Sequence, residues 1–306
     1  MNKQDIYHYY QNFLPFFIMP LILFSILIID VTYIVSITSA QAEDDQNQNM
    51  FNAVKSRLVK DGFSTEYIDK IYRDPEISLE LKGVSLFFVH SESRLNYEQF
   101  LSDSAIQRAS NYIKKHEAEL ANAESIYGVD RTVITAIMLV ETRLGTNLGS
   151  RNVINVLSTM SSLSDTAHRE RLWNFLSKEK RITRNKFDKK ADSKSEWAYN
   201  ELKSLFKYST REGINPVEIK GSYAGALGIS QFMPSNALIL AKDGDSDGKI
   251  DLFNHADAIH SIANYLKHHG WRPTLNREQA HKVLYRYNHS DPYVETLLKI
   301  SDRLKG

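Results

Sequence analysis

The chain has 306 residues, 42% of them hydrophobic and 25% charged, with a formal net charge of +1 and no cysteine. That composition is ordinary for a globular protein. The near-neutral charge gives no support for nucleic-acid binding, which needs a concentrated basic face, and the missing cysteine excludes disulfides and a lipid-acylated cysteine anchor.

Residues 1–42 depart from this average. An almost wholly apolar run spans Phe13 to Ile29, interrupted by Pro15 and Pro20, and a second run from Val31 to Ile37 leads into Ala40-Gln41-Ala42. An A-x-A arrangement after an apolar core is the pattern of a signal-peptidase site. Residues 1–42 are therefore expected to be a signal peptide or an uncleaved N-terminal membrane anchor, and the protein to be exported and periplasmic. Residues 43–50 read as a polar linker.

Further along, Phe51 to Val59 predicts a short helix, and Ser64 caps a second one through about Tyr72, before a break at Asp74-Pro75. Val84 to Val89 reads as a strand or a buried turn. Ser102-Asp103-Ser104 reads as the cap of a long amphipathic helix running to about Tyr127 and ending at Gly128. Strand alternation is scarce and no repeat recurs, so the expected fold class is mainly α.

The stretch from Asp130 to Gly145 predicts the central helix. Ile134, Ile137, Met138, Glu141 and Leu144 recur at spacings of three and four, which puts them on one face. That face is apolar except for Glu141. Burial of a carboxylate favours its protonated form, the state a general acid needs. The competing reading is a Glu at the stripe's edge, paired with Arg143 or another cation.

Beyond a loop at 146–152, helical patterns run from Val153 to about Leu163 and from His168 to Phe175. Residues 178–196 hold eight basic and four acidic side chains. They read as a solvated, mobile insertion or as a patch for an anionic polymer. Trp197, Leu202, Leu205 and Phe206 resume a helical pattern.

Three later stretches carry chemistry. In Gly221-Ser-Tyr-Ala-Gly-Ala-Leu-Gly-Ile-Ser-Gln-Phe-Met-Pro-Ser235, the glycines permit close backbone approach, and Gln231 either orders the loop or meets a polar ligand. Asp243-Gly-Asp245-Ser-Asp247-Gly248-Lys249-Ile250-Asp251 follows EF-hand ligand spacing, with Asn254 in place of the usual closing Glu and Asp257 three residues further on. Clustered aspartates repel without a cation, which favours Ca²⁺ over a bare Asp-Gly turn. Tyr285-Arg-Tyr287-Asn288-His-Ser-Asp-Pro-Tyr293 offers rings and an amide that either meet sugars or cap the last helix. No HExxH pattern supports a histidine metal site.

Taken in this order, Tyr127-Gly128-Val129, Val140-Glu-Thr-Arg143, the Gly221–Ser235 segment, the Asp243 loop, Ala263-Asn-Tyr265 through Trp271, and Tyr287-Asn288 resemble the lytic murein transglycosylase B family. The likeness spans about residues 95 to 295. It implies a lysozyme-like helical catalytic core over 96–306, a helical extension over 43–95, and a calcium loop over 243–257. The short interval between Trp271 and Tyr287 implies no inserted β domain. The resemblance also implies a carbon–oxygen lyase that cleaves the β-1,4 bond between N-acetylmuramic acid and N-acetylglucosamine in peptidoglycan glycan strands, leaving 1,6-anhydro ends. Glu141 matches the family's sole acid and base. Ser222 and Gln231 match residues that hold the muramoyl sugar, Phe232 and Tyr265 sugar-stacking positions, and Tyr287, Asn288 and Tyr293 the far wall, with Tyr97 an upstream aromatic. Asp243, Asp245, Asp247, Lys249 and Asp257 match ligands of a structural Ca²⁺; no organic cofactor is implied.

Two rivals remain. A hydrolytic muramidase needs a second carboxylate, which nothing near Gly221 to Pro234 supplies. A non-catalytic, Ca²⁺-dependent peptidoglycan-binding module has no use for a desolvated acid at Glu141.

Overall fold

The computed structural model describes residues 50–89, 96–178 and 181–306, so the expected leader at 1–42 lies outside the described residues. Thirteen α-helices and one two-stranded ladder are formed among the described residues. None of these helices is long and apolar enough to cross a membrane. Residues 53–306 form one compact unit.

Helices α1 (Asn52–Lys60), α2 (Thr65–Tyr72) and α3 (Leu81–Val89) come first. Ser64 caps α2 as its sequence predicts, accepting from the Tyr67 amide. The stretch read as a strand or turn is instead helical. Its Val84 and Phe88 are buried one turn apart, and α3 packs on α7 (Val153–Ser161) and α8 (Thr166–Phe175). That burial outweighs the β-preference of a Val-Ser-Leu-Phe-Phe-Val run.

The long helix expected before Gly128 is two helices, α4 (Asp103–Lys115) and α5 (Glu117–Tyr127), broken at His116 with φ −112° and ψ 36°. The central helix, α6 (Arg131–Thr142), is buried almost all round, from Thr132 to Leu139. Asp130 occupies its N-cap position, yet its carboxylate pairs with Lys305 at 2.7 Å instead of capping. The helix stops at Thr142, short of Gly145. Arg143, Leu144 and Gly145 then take consecutive positive φ values of 52°, 63° and 86°.

Most of the charged stretch at 178–196 is ordered helix, not a mobile segment. Residues 184–196 are the first half of α9 (Arg184–Glu212), a 29-residue helix. Phe187, Ala191 and Ser195 are buried at spacings of four, and Asp188 and Asp192 pair with Arg169 while Arg57 pairs with Glu196. A stripe of one Phe, one Ala and one Ser among charges is too sparse to read as amphipathic. Only packing on a neighbouring core makes it a face. Helix α9 packs along α7 and on α10 (Pro234–Leu240).

The chain ends with α11 (His255–His268), α12 (Arg277–Tyr287) and α13 (Asp291–Lys305). Helix α11 packs against α5, and α13 against α6 and the 3-10 turn Tyr97–Leu101. Residues 272–276 form the turn into α12, where Asn276 and Gln279 build a capping box. The ladder pairs β1 (Arg151–Asn152) antiparallel with β2 (Lys220–Gly221), Arg151 opposite Gly221. It draws the loop after α6 beside the glycine-rich segment.

Candidate active site

Glu141 lies in the last turn of α6 and is half-buried. Its Oε1 accepts a hydrogen bond from the Tyr293 hydroxyl at 2.7 Å. Tyr293 sits in the first turn of α13, where Ser290 caps the helix, and is 1% exposed. Burial, and then the charge of Glu141, push its phenol well above the ordinary range, so it stays a donor at neutral pH. Burial and the same carboxylate raise the Tyr287 phenol as well. The ring of Tyr97 meets Tyr293 edge-on at 6.2 Å, and Arg143 ties the Tyr97–Leu101 turn to the end of α6 by donating to the Gln99 side-chain Oε1 at 3.0 Å.

The glycine-rich segment faces this helix end as a tight hairpin, with Leu227 and Phe232 exchanging backbone hydrogen bonds at 2.9 and 3.1 Å. Gly228, at φ +73°, has no room for a side chain, since a Cβ would lie 2.5 Å from that of Leu252. Gln231 adopts φ 48° inside the hairpin. Its side-chain nitrogen donates to the carbonyls of Gly228 at 2.9 Å and Leu148 at 3.3 Å, which leaves its amide oxygen for a ligand. Of the two sequence readings of Gln231, these contacts bear out the one in which it orders the loop. Ser222 is half-exposed, and its hydroxyl oxygen accepts from the amides of Ala224 and Ala226 at 3.3 and 3.1 Å.

Phe232, Tyr265 and Tyr287 meet in one ring cluster, with centroids 5.5, 6.0 and 4.9 Å apart. Phe232 is 2% and Tyr265 6% exposed, so the two back the site rather than stand free in it. The Tyr287 hydroxyl donates to the Ser230 carbonyl at 2.6 Å, and that of Tyr265 to the Arg286 carbonyl at 2.7 Å. Asn288, half-exposed, closes α12 as its C-cap.

Sequence reasoning missed Glu201, a buried carboxylate on α9. It accepts from the Ser235 amide at 2.9 Å and hydroxyl at 2.8 Å. Burial raises its pKa. Both oxygens serve the first turn of α10, where a carboxylate also suits the helix dipole. Nothing in the spacing of residues 201 and 235 signals that contact.

The Asp243 loop gathers the carboxylates of Asp243, Asp245 and Asp247, with oxygens all within 4.8 Å of one another. Asp243 accepts from the amides of Ser246 and Gly248 at 2.7 and 2.9 Å, and Asp247 from that of Lys249 at 2.8 Å. Asp257 is buried below the loop, where its two oxygens take the Gly244 and Asp251 amides at 2.7 and 2.6 Å. Burial, and then backbone contacts and the charges of Asp245 and Asp243, leave its pKa raised overall. Asn254, in the place of the closing Glu, caps α11 and donates to Asp245 at 2.7 Å. Three converging carboxylates with no nitrogen or sulfur donor among them suit a hard cation.

The transglycosylase SLT domain family matches residues 46–279. Over 174 residues the chain is 31% identical to the membrane-bound lytic murein transglycosylase B of Escherichia coli, a stretch covering 57% of this chain and 41% of that protein. The soluble lytic transglycosylase SltB1 of Pseudomonas aeruginosa has the same fold, with a TM-score of 0.68 and 24% identity, covering 83% of this chain and 98% of that one. The Escherichia coli lytic transglycosylase Slt35 in complex with calcium superposes with a TM-score of 0.65 and 22% identity, covering 85% and 92%.

Proposed function

Because the chain belongs to the transglycosylase SLT domain family, we propose that it is a peptidoglycan lytic transglycosylase. In this reading residues 96–306 are the catalytic domain, residues 43–95 its helical extension, and the glycan strands of an exported, periplasmic compartment the substrate. The observation that carries it is the Tyr293–Glu141 hydrogen bond at a helix end flanked by the Gln231 hairpin and the Tyr287 ring.

Glu141 donates its proton to the glycosidic oxygen as the bond from the muramoyl C1 breaks. The resulting carboxylate takes the proton from the muramoyl 6-hydroxyl, whose oxygen attacks C1 and closes the 1,6-anhydro ring. No water is consumed and Glu141 ends protonated as it began. Tyr293 stabilises the transient carboxylate by donating to it. Gln231 and Ser222 orient the muramoyl N-acetyl group, and Phe232, Tyr265, Tyr287, Asn288 and Tyr97 shape the walls.

Asp243, Asp245, Asp247, the Lys249 carbonyl and Asp257 are the ligand set for a structural Ca²⁺. The cation supplies charge neutralisation that lets this cluster stay folded. Mass analysis of digested sacculi tests the reaction. Anhydro ends support a transglycosylase, reducing ends a hydrolase, and intact glycan a binding module. Glu141→Gln abolishes release while glycan binding remains; activity surviving in that variant sinks the assignment.

A further inference from the structure

Thr142 follows Glu141 at the last helical position of α6 and is 0% exposed. Its hydroxyl donates to the Ile229 carbonyl at 3.0 Å, with the Met138 carbonyl of its own helix at 3.3 Å, and its oxygen accepts the Gly145 amide at 3.0 Å. The Thr142 carbonyl takes the Asn147 amide at 2.9 Å. Ile229 in turn donates its amide to the Leu252 carbonyl at 2.8 Å, at the exit of the Asp243 loop. The next carbonyl along, Ser230, anchors the Tyr287 hydroxyl at 2.6 Å.

One buried hydroxyl thus joins the terminus carrying Glu141, the glycine-rich hairpin behind the site, and through Ile229 the end of the Asp243 loop. The backbone it braces is unfavourable on its own. Arg143 and Leu144 are not glycine, yet both have φ values, 52° and 63°, that L-residues avoid. Such a turn persists where its surroundings over-determine it. The Gly145 amide, which ends the turn, is held by Thr142.

We infer that Thr142 is a positioning residue for Glu141, its hydroxyl locking the end of α6 onto the Ile229 carbonyl so that the carboxylate stays in register with the hairpin. The inference rests on the lytic transglycosylase reading. It also explains what a hydroxyl does at a site that burial alone would fill with valine. Without the oxygen, the buried Ile229 carbonyl and the half-buried Gly145 amide both lose their partner. The helix end then relaxes, and a displacement of about 1 Å at a reacting group costs roughly a hundredfold in rate.

The test compares Thr142→Val, Thr142→Ala and Thr142→Ser by kcat and KM on soluble glycan strands, with folded protein measured by circular dichroism. Val and Ala are expected to lower kcat by about ten- to a hundredfold with KM within about threefold. Ser is expected to restore kcat to within about threefold, although its melting temperature stays below the parent's because the methyl is gone. A parental kcat in Thr142→Val, or equal losses in Ser and Ala per folded molecule, overturns the inference. Should the Val variant fail to fold, Ser against Ala decides, since they differ by one oxygen. Hydrogen exchange at the Gly145 and Asn147 amides is expected to quicken in Ala and not in Ser; no difference there overturns the bracing even if the parent makes no anhydro product.

Discussion

The Tyr293 hydroxyl reaches Glu141 Oε1 at 2.7 Å from 152 positions away in the chain. Helix α13 packs along α6, so the contact is a product of helix docking rather than of any local motif. A neutral, buried phenol facing a carboxylate stabilises the ionised form, the state Glu141 would pass through between the two proton transfers of the proposed mechanism. Tyr293→Phe keeps the ring against Tyr97 and removes the donor. Hydrogen bonds to charged groups contribute about 1.5–3 kcal/mol, so kcat should fall roughly ten- to a hundredfold with the melting temperature little changed. Steady-state kinetics on glycan strands beside a thermal melt checks this.

Chelation should destabilise the fold. The Asp243, Asp245 and Asp247 oxygens lie within 4.8 Å of one another, and their mutual repulsion is relieved by a bound cation. At a hundredfold excess of free Ca²⁺ over Kd the linkage is worth about 2.7 kcal/mol, a shift of several degrees in melting temperature. Differential scanning fluorimetry with Ca²⁺ and then with a chelator measures it. Asp243→Asn should abolish most of the difference, and an unchanged melting temperature in the parent counts against the site.

Acid should weaken the core around His116. This imidazole is 9% exposed, sits 4.4 Å from the Tyr112 ring and 4.7 Å from that of His255, and its Nε2 has no partner among the described residues. Burial lowers its pKa below the ordinary value of 6.5. With the folded pKa below the unfolded one, the unfolded state binds the proton more readily. The stability contribution is therefore complete above about pH 6.5 and is lost as pH falls toward the folded value. Melting temperatures between pH 7.5 and 5 should drop, and drop less in His116→Phe, which retains the ring packing.

Gly228→Ala should be among the more damaging single changes. Position 228 needs φ +73°, and its Cβ would sit 2.5 Å from Leu252 Cβ and 2.6 Å from the Leu252 carbonyl oxygen. The neighbour is backbone as well as side chain, so the hairpin itself must move. A loss of about 2–4 kcal/mol is expected from combined overpacking and backbone strain, read from urea unfolding.

Glu201→Ala should destabilise without touching the chemistry. The half-buried Ser235 amide loses its acceptor at the start of α10, with a cost of about 1 kcal/mol for the lost hydrogen bond. Unfolding free energy should fall while kcat per folded molecule stays at the parental value.

Local chemistry was legible where it repeats or stands next to itself in the chain. The periodicity of α6, the Ser64 cap, the Asp-x-Asp-x-Asp-Gly spacing and the glycines of 221–228 are all short-range patterns, and each reading could be made from adjacent residues. The helical character of Leu81–Val89 and of residues 184–196 was not legible. In both, a few buried side chains spaced along one face gain their meaning from the helices they pack on, and the local signal, β-preference in the first and dense charge in the second, points away from a buried helix.

The sequence by itself determined a mainly helical chain with one carboxylate on an apolar helix, a glycine-rich turn around Gln231 and an aspartate cluster spaced for a hard cation. Those features depend on intervals of a few residues, where the backbone geometry of a helix or turn converts spacing directly into proximity. The tertiary structure alone decided that Tyr293 faces Glu141, that Tyr287 is anchored by Ser230, that Glu201 serves α10, and that Thr142 ties α6 to Ile229. Each of those contacts joins positions at least 34 apart, and which partner a buried hydroxyl or carboxylate finds depends on how whole helices dock.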